Sequence, residues 1–82
     1  MRSIKKFNLE HKPTQTIFGP IEKIVKVGVD SNNRLAVWAV IDSTDISNIV
    51  PIIMLSSNEP MPMNLTYLDT VVMHQAWHIF TS

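Results

Sequence analysis

Cysteine is absent from the 82 residues. That removes disulfides and thiolate metal sites, and it fits a reducing cytoplasm. Charge is scarce, at 17% of the chain against 45% apolar residues. Such a balance excludes disorder, and so little charge suggests that part of the surface is covered by a partner, a homo-oligomer being the expectation. No apolar run approaches the ~18 residues of a membrane span, so no membrane partner is expected. "MRSIKKFNLE" has charges but no apolar core, so a signal peptide is excluded. No segment keeps the 3.6-residue apolar period over a helical length. There is no internal repeat and no low-complexity linker, and one domain over residues 1–82 is expected.

Positive charge is missing from more than half the chain. All seven Lys and Arg lie at or before Arg34. Three acids (Glu10, Glu22, Asp30) share that segment, so it carries 7 − 3 = +4, and residues 35–82 carry four acids and no Lys or Arg, hence −4. Two readings follow. The basic half forms a face for an anionic ligand, or strands from the two halves interleave and the charges mix. The zero total excludes broad binding to double-stranded nucleic acid, which needs many phosphate contacts.

What is present reads as β-structure. "IKKFNLE" alternates, with Phe7 and Leu9 against Lys6 and Asn8. Pro13 breaks it, and "TQTIF" follows until Gly19-Pro20. In "IEKIVKVGVD", Val25, Val27 and Val29 share a face, and Gly28 marks a bulge or a close backbone approach. "SNNR" reads as a hairpin turn, because Asn tolerates positive φ. "RLAVWAVID" is apolar on both faces and reads as a central strand covered on both sides. "STDISN" connects, with room for one short helix over 43–50 capped by Ser43 or Thr44. "VPIIML", "LTYLDTVVM" and "AWHIF" complete the set, the last two as a hairpin turning near "HQ". The fold class is all-β: a small sandwich or partly closed antiparallel barrel of six to seven short strands.

Catalytic chemistry is thin. Ser56 and Ser57 lack a Gly-x-Ser-x-Gly setting. Paired carboxylates are missing. His74 and His78 lie four apart, but a metal would need a third ligand such as Asp69 or His11, and a turn near Gln75 would separate them. No enzyme, metal or cofactor is expected. Binding chemistry is richer. Trp38, Trp77 and Tyr67 offer stacking surfaces, with core packing the competing role for both tryptophans. Arg34 presents a planar fork for phosphate or carboxylate, or is an exposed turn residue. In "LSSNEPMPMN", Ser56, Ser57 and Asn58 supply donors and close backbone approach. Pro60 and Pro62 stiffen the loop, and Met61 and Met63 either offer adaptable apolar surface or tuck into the core.

The order "KFNL", "IVKV", "LAVWAVID", "IIMLSSNEPM", "YLDTV", "AWHIF" resembles a family of small phage proteins, most of them without assigned function. The family pattern runs Lys-aromatic-x-Leu, an Ile/Val strand, Leu-x-Leu-Trp-Ala-x-Val-Asp, an apolar strand into Gly-Thr-Gly-x-Pro, Tyr-Ile-Gly-Thr, and Trp-His-Val-Phe. It covers about residues 5 to 80. Trp38, Ala39, Asp42, Pro60, Tyr67, Thr70, Trp77, His78 and Phe80 fall on matching positions. Gly-Thr-Gly is Ser56-Ser57-Asn58 here, and Val50-Pro51 stands where a basic residue is often seen. The resemblance implies a counter-defence protein in the cytoplasm of the infected bacterial host. It would bind and hold a small nucleotide immune signal, such as a cyclic dinucleotide, without cleaving it. The binding residues would be Arg34, Trp38, Ser56, Ser57, Asn58, Tyr67, Trp77 and His78. The other reading is a phage module that docks on a host protein through "EPMPM".

Overall fold

The computed structural model describes all residues 1–82. Seven strands follow one another: β1 (Arg2–Asn8), β2 (Thr14–Gly19), β3 (Ile21–Val29), β4 (Leu35–Asp42), β5 (Asn48–Ser56), β6 (Thr66–Met73) and β7 (Gln75–Thr81). They form two antiparallel sheets, β1-β4-β3 and β2-β5-β7-β6. Of the two architectures expected, this is the sandwich and not a closed barrel. Leu9, Val27, Leu35, Val37 and Ala39 from the first sheet and its flank pack with Ile17, Ile52, Met54, Val71 and Ile79 from the second. One cluster shared by both inner faces is what face-to-face packing requires.

Local chemistry sets the turns. Between β3 and β4, Asp30 Oδ1 accepts hydrogen bonds from the backbone N–H of Asn32 and Arg34, both at 2.9 Å. Asn33 takes φ 62°. Asp30 Oδ2 also receives Lys6 Nζ at 2.8 Å. The β6–β7 hairpin turns on His74, φ 65°, between Met73 and Gln75. His74 and His78 are therefore not on one strand.

The short helix allowed over 43–50 does not form. Asp42 Oδ1 accepts from both the N–H and the hydroxyl of Thr44, at 3.0 and 2.7 Å, and closes a tight turn. β5 then begins at Asn48, earlier than "VPIIML" suggests. These bonds, that from the Thr44 hydroxyl first, and the amino group of Met1 hold the Asp42 carboxyl at about 2, against an ordinary 3.8. A carboxylate with a lowered folded-state pKa contributes stability above its unfolded value and loses it as pH falls through the folded one. In an acid titration followed by circular dichroism, Asp42→Asn should remove the part of the stability lost between pH 3.8 and about 2. A variant whose acid profile overlays the wild type would show that this turn does not contribute.

Two other expectations need correction. Gly28 is neither a bulge nor a close approach: it pairs regularly with Ala36, and a Cβ there would make ordinary contacts at 3.5 and 3.9 Å. The register shifts in β3 fall at Ile21/Lys23 and Ile24/Lys26. The second puts Val25 in solvent, off the face of Val27 and Val29. Nor is β4 fully covered. It is central in its sheet, but Trp38 and Val40 face outward and are half-buried. Lys26, not a third layer, lies over the Trp38 ring on that face.

Strands of the two halves interleave, β4 with Asp42 between β1 and β3 and β2 beside β5, but the basic strand residues stay on one sheet. The strands of the four-stranded sheet contain no Lys or Arg and one acid, Asp69. Arg2, Lys5, Lys6, Lys23 and Lys26 all sit on the three-stranded sheet. Within it, Arg2 is paired with Glu22 at 2.9 Å and Lys6 with Asp30 at 2.8 Å.

Candidate functional site

The loop that opens with Ser57 is not a hairpin turn. β5 and β6 are both antiparallel to β7 and flank it, so they run parallel to each other. Residues 57–65 must therefore carry the chain past β7 from one end of the sheet to the other. The connection leaves β5 with a turn in which Glu59 N–H donates to the Ser56 carbonyl at 3.3 Å. Asn58, third in that turn, has φ 73°. This is the left-handed region where Gly or Asn is favoured. Asn58 stands where the resembled pattern has its second glycine, and Asn meets the same backbone demand. Ser56 Oγ donates to Glu59 Oε1 at 2.7 Å and ties the turn.

The outer face of the four-stranded sheet follows from its inner one. Ile52, Met54, Val71 and Ile79 point inward and are buried. Leu55, Thr70, His78 and Phe80, one step out of phase, point outward. On that face Ser57 Oγ lies 3.0 Å from His78 Nε2. Thr70 Oγ1 lies 3.0 Å from His78 Nδ1, and the Tyr67 hydroxyl 2.7 Å from Thr70 Oγ1. Four side chains from the connection, β7 and β6 thus form one hydrogen-bonded chain. Tyr67 also packs edge-on against Phe80, with ring centroids 5.7 Å apart.

A β-bulge makes this chain possible. Residues 67 and 70 are an odd number apart, so in a regular strand they would face opposite ways. The register slips between Tyr67 and Asp69, with Tyr67 opposite Phe80 and Asp69 opposite Ile79. The extra residue, Leu68, packs against the core. Tyr67 and Thr70 are thereby returned to the same face.

The remaining predicted residues are placed by topology. Ser56 pairs with Trp77 where β5 ends and β7 begins. The β3–β4 turn with Arg34 and the β1–β2 connection lie at that same end, since Asn8 pairs with Ala36 and Thr14 with Ile53. Trp77 packs partly on the core and meets His11 edge-on, centroids 6.2 Å apart. Arg34 and His11 line a concavity of about 410 Å³ together with Asn33 and Glu10. The Arg34 guanidinium has no carboxylate partner, whereas Glu10 is held by Lys12 at 2.9 Å, which lowers the Glu10 pKa. Arg34, Trp77, Ser56, Ser57 and Asn58 therefore lie at one end of the sandwich, whereas His78, at the middle of β7 and on the opposite face from Trp77, is linked to that end through Ser57 and to Tyr67 through Thr70.

Trp38 does not join them. It lies on the outer face of the other sheet, with Lys6 and Lys26 as its cross-strand partners and Lys26 Nζ 5.2 Å from the ring centroid. Sequence reasoning did not mark Thr70 as a site residue, nor His11 as a neighbour of Trp77. Thr70 meets His78 across the β6–β7 hairpin and reaches Tyr67 only because of the bulge, and His11 meets Trp77 only through the contact of segments far apart in the chain. Met61 and Met63 are 62% and 86% exposed, so they do not tuck into the core. No group of three or more His, Cys, Asp or Glu converges in a way that could hold a metal ion. No helix is long and apolar enough to cross a membrane.

A family model described as a domain of unknown function, DUF7352, matches residues 1–82, and the chain belongs to that family. No curated protein and no solved structure gives a match.

Proposed function

We propose that this chain is a nucleotide-binding protein of phage origin that sequesters a bacterial immune signal, such as a cyclic dinucleotide, in the cytoplasm of the infected host. The observation that carries the reading is the unpaired Arg34 guanidinium beside His11 in a concavity of about 410 Å³, with Trp77 edge-on to His11. A guanidinium with no internal carboxylate is free to take a phosphate in bidentate fashion. The aromatic rings offer base stacking worth about 1–3 kcal/mol per base. The resemblance to small phage proteins supplies the biological setting. Holding the ligand intact, without cleavage, is part of the proposal.

The test is thermal unfolding against a panel of signalling nucleotides, followed by recovery of the ligand after heating. A ligand that binds only the folded chain raises the midpoint, by about 2.7 kcal/mol of stability at a hundredfold excess over Kd. A rise with intact nucleotide recovered supports sequestration. A nucleotide recovered cleaved would make the chain an enzyme instead, and a flat panel would remove the reading.

A second reading has its own observation. The exposed Met61 and Met63, between Pro60 and Pro62, form an adaptable apolar stretch suited to docking on a host protein. A flat nucleotide panel together with a stoichiometric partner recovered from bacterial lysate, and lost on replacing both methionines by Ser, would favour it.

A further inference from the structure

Of the four sheet edges, three carry the devices that keep strands from pairing with other chains. β1 has Arg2, Lys5 and Lys6. β3 has Glu22, Lys23, Lys26 and two register shifts. β6 has Asp69 and its bulge. β2, "TQTIFG", has none of these. It is paired on one side only, with β5. Thr14, Thr16 and Phe18 are exposed along it, and the largest concavity of the molecule, about 520 Å³, opens beside Thr14 and Thr16.

The phase of the free backbone groups is set by Pro51. Thr16 lies opposite Pro51, which has no N–H to give. The Pro51 carbonyl instead accepts the Thr81 hydroxyl at 2.7 Å, on the side away from β2. Thr16 and Pro51 are therefore a non-hydrogen-bonded pair, and the N–H and C=O of Thr16 point out at the open edge. By the two-residue period, those of Thr14 and Phe18 do the same.

We propose that β2 is a self-pairing edge: two copies of the chain join through antiparallel β2 strands about a two-fold axis at Thr16, making one continuous eight-stranded sheet. In this register Thr16 faces Thr16 of the second copy, and Thr14 faces Phe18 from either side. Each of these is a hydrogen-bonded pair, so all the outward N–H and C=O groups of Thr14, Thr16 and Phe18 are satisfied at once. No other register about a two-fold axis uses all of them. The strand has no charge, so two identical edges meet without repulsion, whereas β1 and β3 would bring lysines together. On the outer face, Phe18, 63% exposed, comes to lie against Thr14 and Thr16 of the second copy, with its cross-strand neighbour Ile49 behind it on β5. A second copy is thus the occupant that this edge complements in hydrogen bonding, charge and apolar surface together.

The experiment is sedimentation velocity on the full chain with two charge variants, Thr16→Lys and Thr16→Glu. The wild type should sediment at the mass of two chains. Each variant alone should sediment as a single chain of 9.3 kDa, because the axis places like charges opposite each other. An equimolar mixture of the two should recover the two-chain mass, as opposite charges then meet. Circular dichroism of each variant checks the fold, and Thr16→Val, which keeps the strand and adds no charge, should remain a dimer. A wild type that is a single chain at every concentration overturns the proposal. So does a dimer that survives in Thr16→Lys, or a mixture that stays dissociated while both variants are folded.

Discussion

Replacing Ile79 by alanine lowers the stability of the chain by about 2–5 kcal/mol. Ile79 is wholly buried, at 0% exposure. It sits on β7, which has a paired strand on each side, opposite Met54 of β5 and Asp69 of β6. It also belongs to the cluster that both inner faces share. Truncation removes transfer energy and leaves a cavity that two sheets fixed by their own hydrogen bonds cannot close. A chain of this size has no disulfide to fall back on and buries a modest share of its surface. Total stability for small domains is about 5–15 kcal/mol, so the loss is a large part of it. At roughly 4–8 °C per kcal/mol, the midpoint should fall by about 8 °C or more. Val72→Ala, on the outer face and largely exposed, should change stability by less than about 0.5 kcal/mol. Equal midpoints for the two variants in a thermal melt would mean that the shared core is not where the stability resides.

The strands were readable because alternation and β-branched runs report directly on backbone pairing, and the turns because Asn33 and the Asp30 side chain carry their chemistry locally. The assortment of strands into sheets was not readable. It depends on β4 inserting between β1 and β3, and β7 between β5 and β6, and no local pattern encodes those neighbours. The same gap explains the site. Ser57, Tyr67 and His78 were each marked by residue type. Their connection through Thr70 depends on the extra residue at Leu68–Asp69, and nothing in "TYLDTVV" announces a bulge. Trp38 and Trp77 looked alike in sequence, as aromatics in apolar strands. Pairing separates them, one onto a lysine-covered outer face, the other to the loop end beside His11. The segregation of charge was visible in the sequence, but whether it survived folding was decided by β1, β3 and β4 forming a sheet of their own.

His78→Ala should abolish ligand binding while leaving the sandwich folded. The imidazole is the one group that joins the connection, β7 and β6, through Ser57 on Nε2 and Thr70 on Nδ1. Without it the Ser57 hydroxyl loses its anchor, and the Thr70–Tyr67 pair loses its link to the loop end. Two hydrogen bonds contribute about 0.5–1.5 kcal/mol each, and at this partly exposed site the low end applies, so the midpoint without ligand should fall by about 4–8 °C. The effect on binding should be larger, because the donors must already be in place when ligand arrives, and ordering them afresh costs affinity. A loss of 1.4 kcal/mol is already tenfold in Kd. The comparison that separates positioning from contact is Thr70→Val, which keeps the strand and removes only the hydroxyl next to Nδ1. If the imidazole serves by being held in one orientation, Thr70→Val should weaken binding in the same direction as His78→Ala, and by less. Arg34→Gln, at the concavity and outside the hydrogen-bonded chain, should weaken binding of a phosphate-bearing ligand with no change in the unliganded midpoint. If His78→Ala and Arg34→Gln both keep the full nucleotide-induced rise, the ligand sits elsewhere on the molecule. The lysine-flanked Trp38 face would then be the surface to test.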